Sequence, residues 1–319
     1  MNKPPAGFDA VVVGAGVIGA TTALELARRG LRVCVLERGA VGREASWAGG
    51  GILSPLPPDD PVPEIRELLD ESLRRYPGYC AELREATGID PEYWVCGAWV
   101  SEDQGPGRWF PQVAQVRNPR LMRALHRRLQ MLGVHVIEQT PALGWQVENG
   151  RLTGVQTAQG VIACRYAVLA AGAWSSRLHE AASVLPVKGQ MLLLRGRPGQ
   201  LDHICMDEQA YLIPRRDGRI LVGSTLEDAG FDLSITSQAR VFLMDCAKRL
   251  WPPAASLDIE NQWAGLRPRP RGVAPLIGPV PGADGLLLNT GHYRLGITLS
   301  LASARRVADL VVLDAVKGF

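Results

Sequence analysis

Asp9-Ala10-Val11-Val12-Val13-Gly14-Ala15-Gly16-Val17-Ile18-Gly19 is the stretch that decides how this chain folds. A short apolar run breaks at Gly14, and Val17, Ala20, Leu24 and Ala27 then recur at helical spacing, so strand, turn and helix follow one another. Gly14 permits the tight turn, Gly16 lets backbone approach a pyrophosphate, and Gly19 lets helix and strand pack closely. The helix start faces the phosphates, which suits negative charge. Gly30 ends the helix, and Val33 to Leu36 form a second buried strand closed by Glu37, 18 residues after Gly19. A carboxylate there accepts from the adenosine ribose hydroxyls and repels a 2′-phosphate, which disfavours NADP. The motif alone is weak; within an intact βαβ unit it predicts a dinucleotide site. Gly14, Ala15, Gly16, Val17, Ile18, Gly19, Glu37 and Arg38 fall to that site, and a nucleotide-free doubly wound sheet is the alternative.

Outward from this unit, the 319 residues are 46% hydrophobic and 21% charged, enough for a substantial core in two interleaved domains. The net charge of +3 is small and scattered, which argues against a nucleic-acid partner. Six cysteines show no paired spacing and no clustering with the five histidines, so neither a zinc site nor a disulfide framework is expected. Met1 to Phe8 lack a leader pattern, and no apolar stretch approaches a membrane span; the expected location is the cytoplasm.

A glycine-rich stretch, Ala48 to Gly51, precedes a proline-rich linker from Pro55 to Pro63 and a helix around Glu64 to Glu85. Leu121, Leu125 and Leu129 space a second amphipathic helix, and Asn149-Gly150 marks a hairpin between strands in 147–158. Tyr166 to Ala171 reads as a buried strand ending at Gly172. Met191 to Leu194, Tyr211 to Pro214 and Ile220 to Gly223 read as antiparallel strands of a second domain. Leu286 to Asn289 returns to the first sheet, and Ile297 to Leu313 closes the chain as a helix. Arg267 to Arg271 alternates with prolines and reads as a loop.

Further blocks carry a resemblance. Gly42-Arg43-Glu44-Ala45-Ser46-Trp47-Ala48-Gly49-Gly50-Gly51-Ile52-Leu53-Ser54-Pro55 resembles the second flavin contact of the D-amino-acid oxidase superfamily, and specifically of glycine oxidases of the thiamine pathway. Ala170 to Ser175, Pro186 to Gln190, Trp263 to Pro268 and Gly291 to Arg294 resemble the same family in the same order, so the match covers nearly the whole chain. It implies an α/β fold: a Rossmann-like FAD-binding domain (1–80, 117–183 and 264–319) with an interleaved antiparallel-sheet substrate domain (81–116 and 184–263). The implied cofactor is noncovalent FAD, since covalent-flavin relatives use a cysteine after the Gly-Leu-Arg-Pro block and Arg269 to Pro275 contain none.

The resemblance also implies site residues. Ala45, Ser46, Gly49, Gly50, Gly51 and Ile52 would contact the cofactor, and the small residues 48 to 51 would let backbone lie against the isoalloxazine, where side chains would collide with the ring. Gly172 and Trp174 return the chain to the pyrophosphate or ribose, and Ala142 lies near the adenine. His292, Tyr293, Arg294, Leu295, Gly296, Ile297 and Thr298 bring amide groups and a helix dipole to the flavin edge that gains negative charge on reduction. His292 is the tempting acid or base, but its place in this loop favours hydrogen bonding. Arg267 would hold a substrate α-carboxylate through two parallel bonds, a geometry lysine does not copy. Tyr211 assists at the same carboxylate, a packed strand tyrosine being the rival reading, and Arg294 adds positive charge.

The implied activity is oxidation of a small amino acid, glycine foremost, with hydride transfer to the flavin and electrons passed to O2. Imine, glyoxylate and hydrogen peroxide would be the products, for thiamine biosynthesis. A D-amino-acid or sarcosine-type oxidase shares the same clamp. The chain departs from the family at Glu102 to Gln115, where relatives carry a longer insert, and its C-terminal tail is short, so a shortened non-catalytic FAD-binding relative also stays open. Leu226 replaces a methionine of some relatives as a modest change in pocket lining. An NAD-dependent dehydrogenase would leave the later blocks without use. No membrane partner is expected, and a homo-oligomer is permitted.

Overall fold

The computed structural model describes residues 7–55, 62–102 and 107–317. Most of the linker expected between Pro55 and Pro63, and part of the connection from Glu102, lie outside the described residues. Strand Phe8–Val13 pairs in parallel with Val33–Leu36 on one side and Gly160–Leu169 on the other, with Val12 opposite both Val35 and Val168. Leu286–Thr290 extends the sheet beside Gly160–Leu169, and His135–Ile137 beside Val33–Leu36. The central strands are apolar at nearly every position because both faces are covered. Val12, Val35 and Val168 face helices Val17–Arg28 and Asn118–Met131, while Val11, Leu36 and Leu169 face the hairpin Gly144–Glu148/Arg151–Thr157.

Two further helices, Pro63–Thr87 and Gly296–Lys317, pack over the first face. The Tyr76 hydroxyl, buried between them, donates to the Ile297 carbonyl at 2.5 Å and lies 3.0 Å from Ser300 Oγ. That contact fixes the start of the last helix. No helix among the described residues is long and apolar enough to cross a membrane.

The second sheet has seven strands in the order Asp258–Pro270, Val184–Arg195, Arg219–Gly223, Tyr211–Pro214, Ile204–Met206, Ala98–Val100, Arg108–Phe110. It is antiparallel except where Ile204–Met206 meets Ala98–Val100. Leu192, Leu194, Leu212 and Val222 are buried against Leu243 of helix Ser237–Leu250. Each such leucine contributes about 1.5–3 kcal/mol on leaving water.

Two expectations need correction. Arg267 to Pro270 is strand, not loop: Asp258–Pro270 is an edge strand paired only with Val184–Arg195, where Pro268 faces Pro186. Proline lacks a donor, and an edge strand has a side on which none is needed. The boundaries at 80/81 and 263/264 fall inside continuous elements, helix Pro63–Thr87 and this same edge strand.

Candidate active site

Between the two sheets lies one cavity of about 1160 Å³, lined from the fingerprint loop at one end to Arg267 and Tyr211 at the other. At the fingerprint, Gly14 has φ +106°, and a Cβ there would stand 2.5 Å from the Ala170 carbonyl oxygen. Only glycine fits that close crossing. A Cβ on Gly19 would stand 1.8 Å from the Gly14 oxygen, so Gly19 supports the turn from behind the cavity wall. The Val17 amide, first in its helix, donates to Ser46 Oγ at 2.9 Å, which brings the second contact segment against the fingerprint. Glu37 is buried, and its carboxylate accepts from the Ala15 amide and the Gly39 amide, both at 2.8 Å. It thereby sets the shape of the loop from the cavity wall.

Of the residues expected at the cofactor, all line the cavity except Ala15 and Gly19. Ala15 is fully buried, and its backbone N–H donates to the Glu37 carboxylate. Ala142 and Gly172 are in the wall, and the Trp174 ring carries the Arg38 guanidinium 3.5 Å above it, with Arg38 also paired to Glu44. Leu226 is 56% exposed and outside the wall, so its exchange does not alter the pocket.

The glycine-rich stretch is held open by long-range bonds. Gly51 has φ +79°, and a Cβ there would stand 2.2 Å from the Val116 carbonyl oxygen. Asn118 Nδ2 donates to the Ser46 and Gly49 carbonyls, and Arg215 donates to the Gly50 carbonyl at 2.8 Å, to Gln115 Oε1 at 2.7 Å and to the Val116 carbonyl at 3.1 Å. Burial with neutral partners pushes the Arg215 guanidinium down to about 10, and Arg117 nearby adds to the effect. Nothing local in the sequence signals a role for Arg215, because its partners lie on distant segments.

His292 is buried, lines the cavity, and neither ring nitrogen has a hydrogen-bond partner. Desolvation pushes its imidazole down to about 3, so it is neutral across the physiological range and unsuited to act as a standing cation. Orphaned buried donors of this kind point to an absent ligand. Next to it, Tyr293 takes φ +49° as the loop turns into the last helix, whose Thr298 Oγ1 donates to the Ile52 carbonyl at 3.2 Å. These features fit a flat, polar-edged ring system: a wall at 49–51 that is glycine backbone without side chains, and a buried His292 whose ring nitrogens have no partner in the same lining.

Arg267 is half-buried in the wall, its guanidinium packed over Gly189, where a Cβ would meet Nη1 at 2.2 Å. It donates to Ser224 Oγ at 2.5 Å and to the Thr225 carbonyl at 3.3 Å, and it has no carboxylate partner among the described residues. Four residues back along the strand, Trp263 Nε1 donates to the Ala48 carbonyl at 3.0 Å, which docks the arginine strand on the glycine-rich stretch. The Tyr211 hydroxyl reaches only Met191 Sδ, at 3.5 Å. Arg294 is exposed at the rim, 5.2 Å from the Tyr293 ring. None of the six cysteines lines the cavity, and all are free thiols.

A fingerprint loop and a second sheet that meet over one cavity, with an unpaired guanidinium facing into it, define a dinucleotide-dependent redox protein of two interleaved lobes. The chain belongs to the FAD dependent oxidoreductase family, whose model matches residues 9–106 and 101–310 and so breaks at the short connection after Ser101. It is 44% identical over 342 aligned residues to a glycine oxidase of Pseudomonas aeruginosa, covering 94% of each chain. It is 33% identical to the bifunctional protein ThiO/ThiG of Trichormus variabilis, covering 95% of this chain and 52% of that one. Its fold superposes on a glycine oxidase of Geobacillus kaustophilus with a TM-score of 0.91 at 28% identity, covering 96% of this chain and 95% of the other.

Proposed function

We propose that this protein oxidises glycine at its α-carbon with FAD and O2, releasing ammonia, glyoxylate and hydrogen peroxide, in the service of thiamine biosynthesis. The observation that carries the reading is Arg267: a guanidinium at the cavity wall, held by neutral oxygens and lacking any carboxylate partner among the described residues. Leaving such a charge unpaired in a protein wall is costly, and an incoming α-carboxylate satisfies it with charge-assisted bonds. The likeness to the glycine oxidases of Pseudomonas aeruginosa and Geobacillus kaustophilus covers 94% and 96% of the chain, and the name ThiO/ThiG of another relative supports the thiamine role.

Gly14, Gly16, Glu37, Ser46, the stretch 49–52 and residues 292–298 would hold the FAD, noncovalently. Bound there, FAD supplies the two-electron acceptor and passes the electrons to O2. The chain's own work is positioning and charge stabilisation. Arg267 fixes the carboxylate and so directs the Cα–H bond, with the Tyr211 hydroxyl, bound only weakly to Met191, free to donate to the same group. His292, held neutral, donates or accepts a hydrogen bond without adding charge. No general base is required if the amine arrives neutral, since its lone pair drives loss of the α-hydrogen and the resulting imine hydrolyses in water.

Sarcosine, D-alanine and D-proline would meet the same clamp, so the test is comparative. Purified protein is assayed for peroxide and oxo acid with all four substrates; glycine should give the highest kcat/KM. A yellow protein that turns over sarcosine or a D-amino acid but not glycine would move the assignment to that class. A yellow protein inert to all four would mark a non-catalytic relative.

A further inference from the structure

Behind the arginine clamp lies a buried polar cluster. Residues alternate across strand Val184–Arg195, so Gly189 and Met191 line the cavity while Lys188 and Gln190 face the other way. Lys188 is 2% exposed, with Nζ 3.4 Å from Glu227 Oε2 and 3.5 Å from Asp232 Oδ2. Gln190 Nε2 donates to Glu227 Oε1 at 2.9 Å, and Thr225 Oγ1 donates to the same oxygen. Thr225 Oγ1 in turn accepts from the Gln190 amide at 2.7 Å, and the Lys188 and Glu227 backbones exchange two bonds of 3.0 Å. The Thr225 carbonyl, on the far side of this knot, is the oxygen that accepts from Arg267 Nη1.

We propose that Glu227, with Lys188, is a positioning residue for substrate binding: it locks the Ser224-Thr225 turn and so aims the Arg267 fork at the substrate carboxylate. Three observations converge on this. The carboxylate of Glu227 binds three separate groups on two segments, and a buried lysine charge is spent on it. The turn it locks supplies both protein acceptors of Arg267. Ser224 and Arg267 line the cavity, whereas Lys188, Gln190, Thr225 and Glu227 do not. The inference rests on Arg267 as the carboxylate clamp, and its effect falls on ligand binding because the bonds of the Glu227 carboxylate run to Lys188, Gln190 and Thr225, none of them assigned to the flavin.

The test uses Glu227→Ala, Glu227→Gln and Lys188→Met in the FAD-loaded full chain, read by steady-state kinetics with glycine and by titration of the flavin absorption spectrum with acetate, a carboxylate that is not oxidised. Glu227→Ala should raise the glycine KM and the acetate Kd at least fivefold, with kcat within twofold and flavin content unchanged. Glu227→Gln, which keeps an acceptor for Thr225, should fall between it and the parent. In an Arg267→Lys background Glu227→Ala should add less than twofold, because the clamp it aims has gone. If Glu227→Ala and Lys188→Met leave the acetate Kd within twofold of the parent, or if the effects of Glu227→Ala and Arg267→Lys multiply, the proposal is overturned. Failure of the parent protein itself to bind acetate or oxidise glycine would instead overturn the clamp and the proposed activity.

Discussion

Replacing Arg267 by lysine keeps one positive charge but removes the planar fork. In the parent, one edge of the guanidinium is held by Ser224 Oγ and the Thr225 carbonyl, at 2.5 and 3.3 Å, and the group packs over Gly189 in the space a Cβ there would take. A lysine ammonium reaching the same place offers a point charge with no preset direction, so one of two parallel bonds to the substrate carboxylate is lost. A hydrogen bond to a charged group contributes about 1.5–3 kcal/mol, which corresponds to about a ten- to 150-fold loss in kcat/KM. The loss should appear mainly as a raised KM, because the carboxylate is gripped in ground and transition states alike. Peroxide-coupled kinetics with glycine and the flavin-to-protein absorbance ratio measure this together. A change of less than threefold in KM with flavin retained would refute the reasoning and place the carboxylate elsewhere.

Other perturbations reach the scaffold of the site. Gly51→Ala forces a Cβ against the Val116 carbonyl at φ +79°, so purified protein should lose flavin and more than about 2 kcal/mol of stability in urea unfolding. Arg215→Met strips the Gly50 and Val116 carbonyls and Gln115 of their shared donor; we expect about 3 kcal/mol of destabilisation and release of FAD on gel filtration. His292 has a folded-state pKa of about 3, below the ordinary value of 6.5. The unfolded chain therefore binds the proton first, and stability falls as pH drops through the window from about 6.5 to about 3. Between pH 7 and pH 5 the flavin-free protein should lose about 2 kcal/mol more than a His292→Gln variant, measured by urea titration.

Local signals made part of this legible from sequence. The fingerprint glycines declare themselves because they recur at fixed spacing between an apolar strand and an apolar helix, and Glu37 follows at the distance one helix imposes. Arg267 and Tyr211 stood out only through the family resemblance, and the structure brings both to the wall of the same cavity as the fingerprint. The edge strand Asp258–Pro270 was hidden by its prolines, which disfavour helix and central strand but say nothing against an edge. Arg215 and Tyr76 were invisible for a different reason: their partners lie 165 and 221 residues away, and no spacing rule connects them. The Lys188–Glu227 cluster is of the same kind, since a lone lysine between valine and glycine gives no hint that it is buried.

The central claim is that an α-amino acid held by Arg267 delivers its electrons to a flavin in this cavity. The direct measurement is to mix the purified protein with glycine in the absence of oxygen and follow the flavin absorbance near 450 nm on the order of seconds, the timescale of ordinary enzyme turnover. The account predicts bleaching in the parent, return of the yellow colour on admitting air, and much weaker bleaching by subsaturating glycine in Arg267→Lys. A flavin that stays oxidised in the parent under saturating glycine, or bleaching that is indifferent to the arginine, would contradict it.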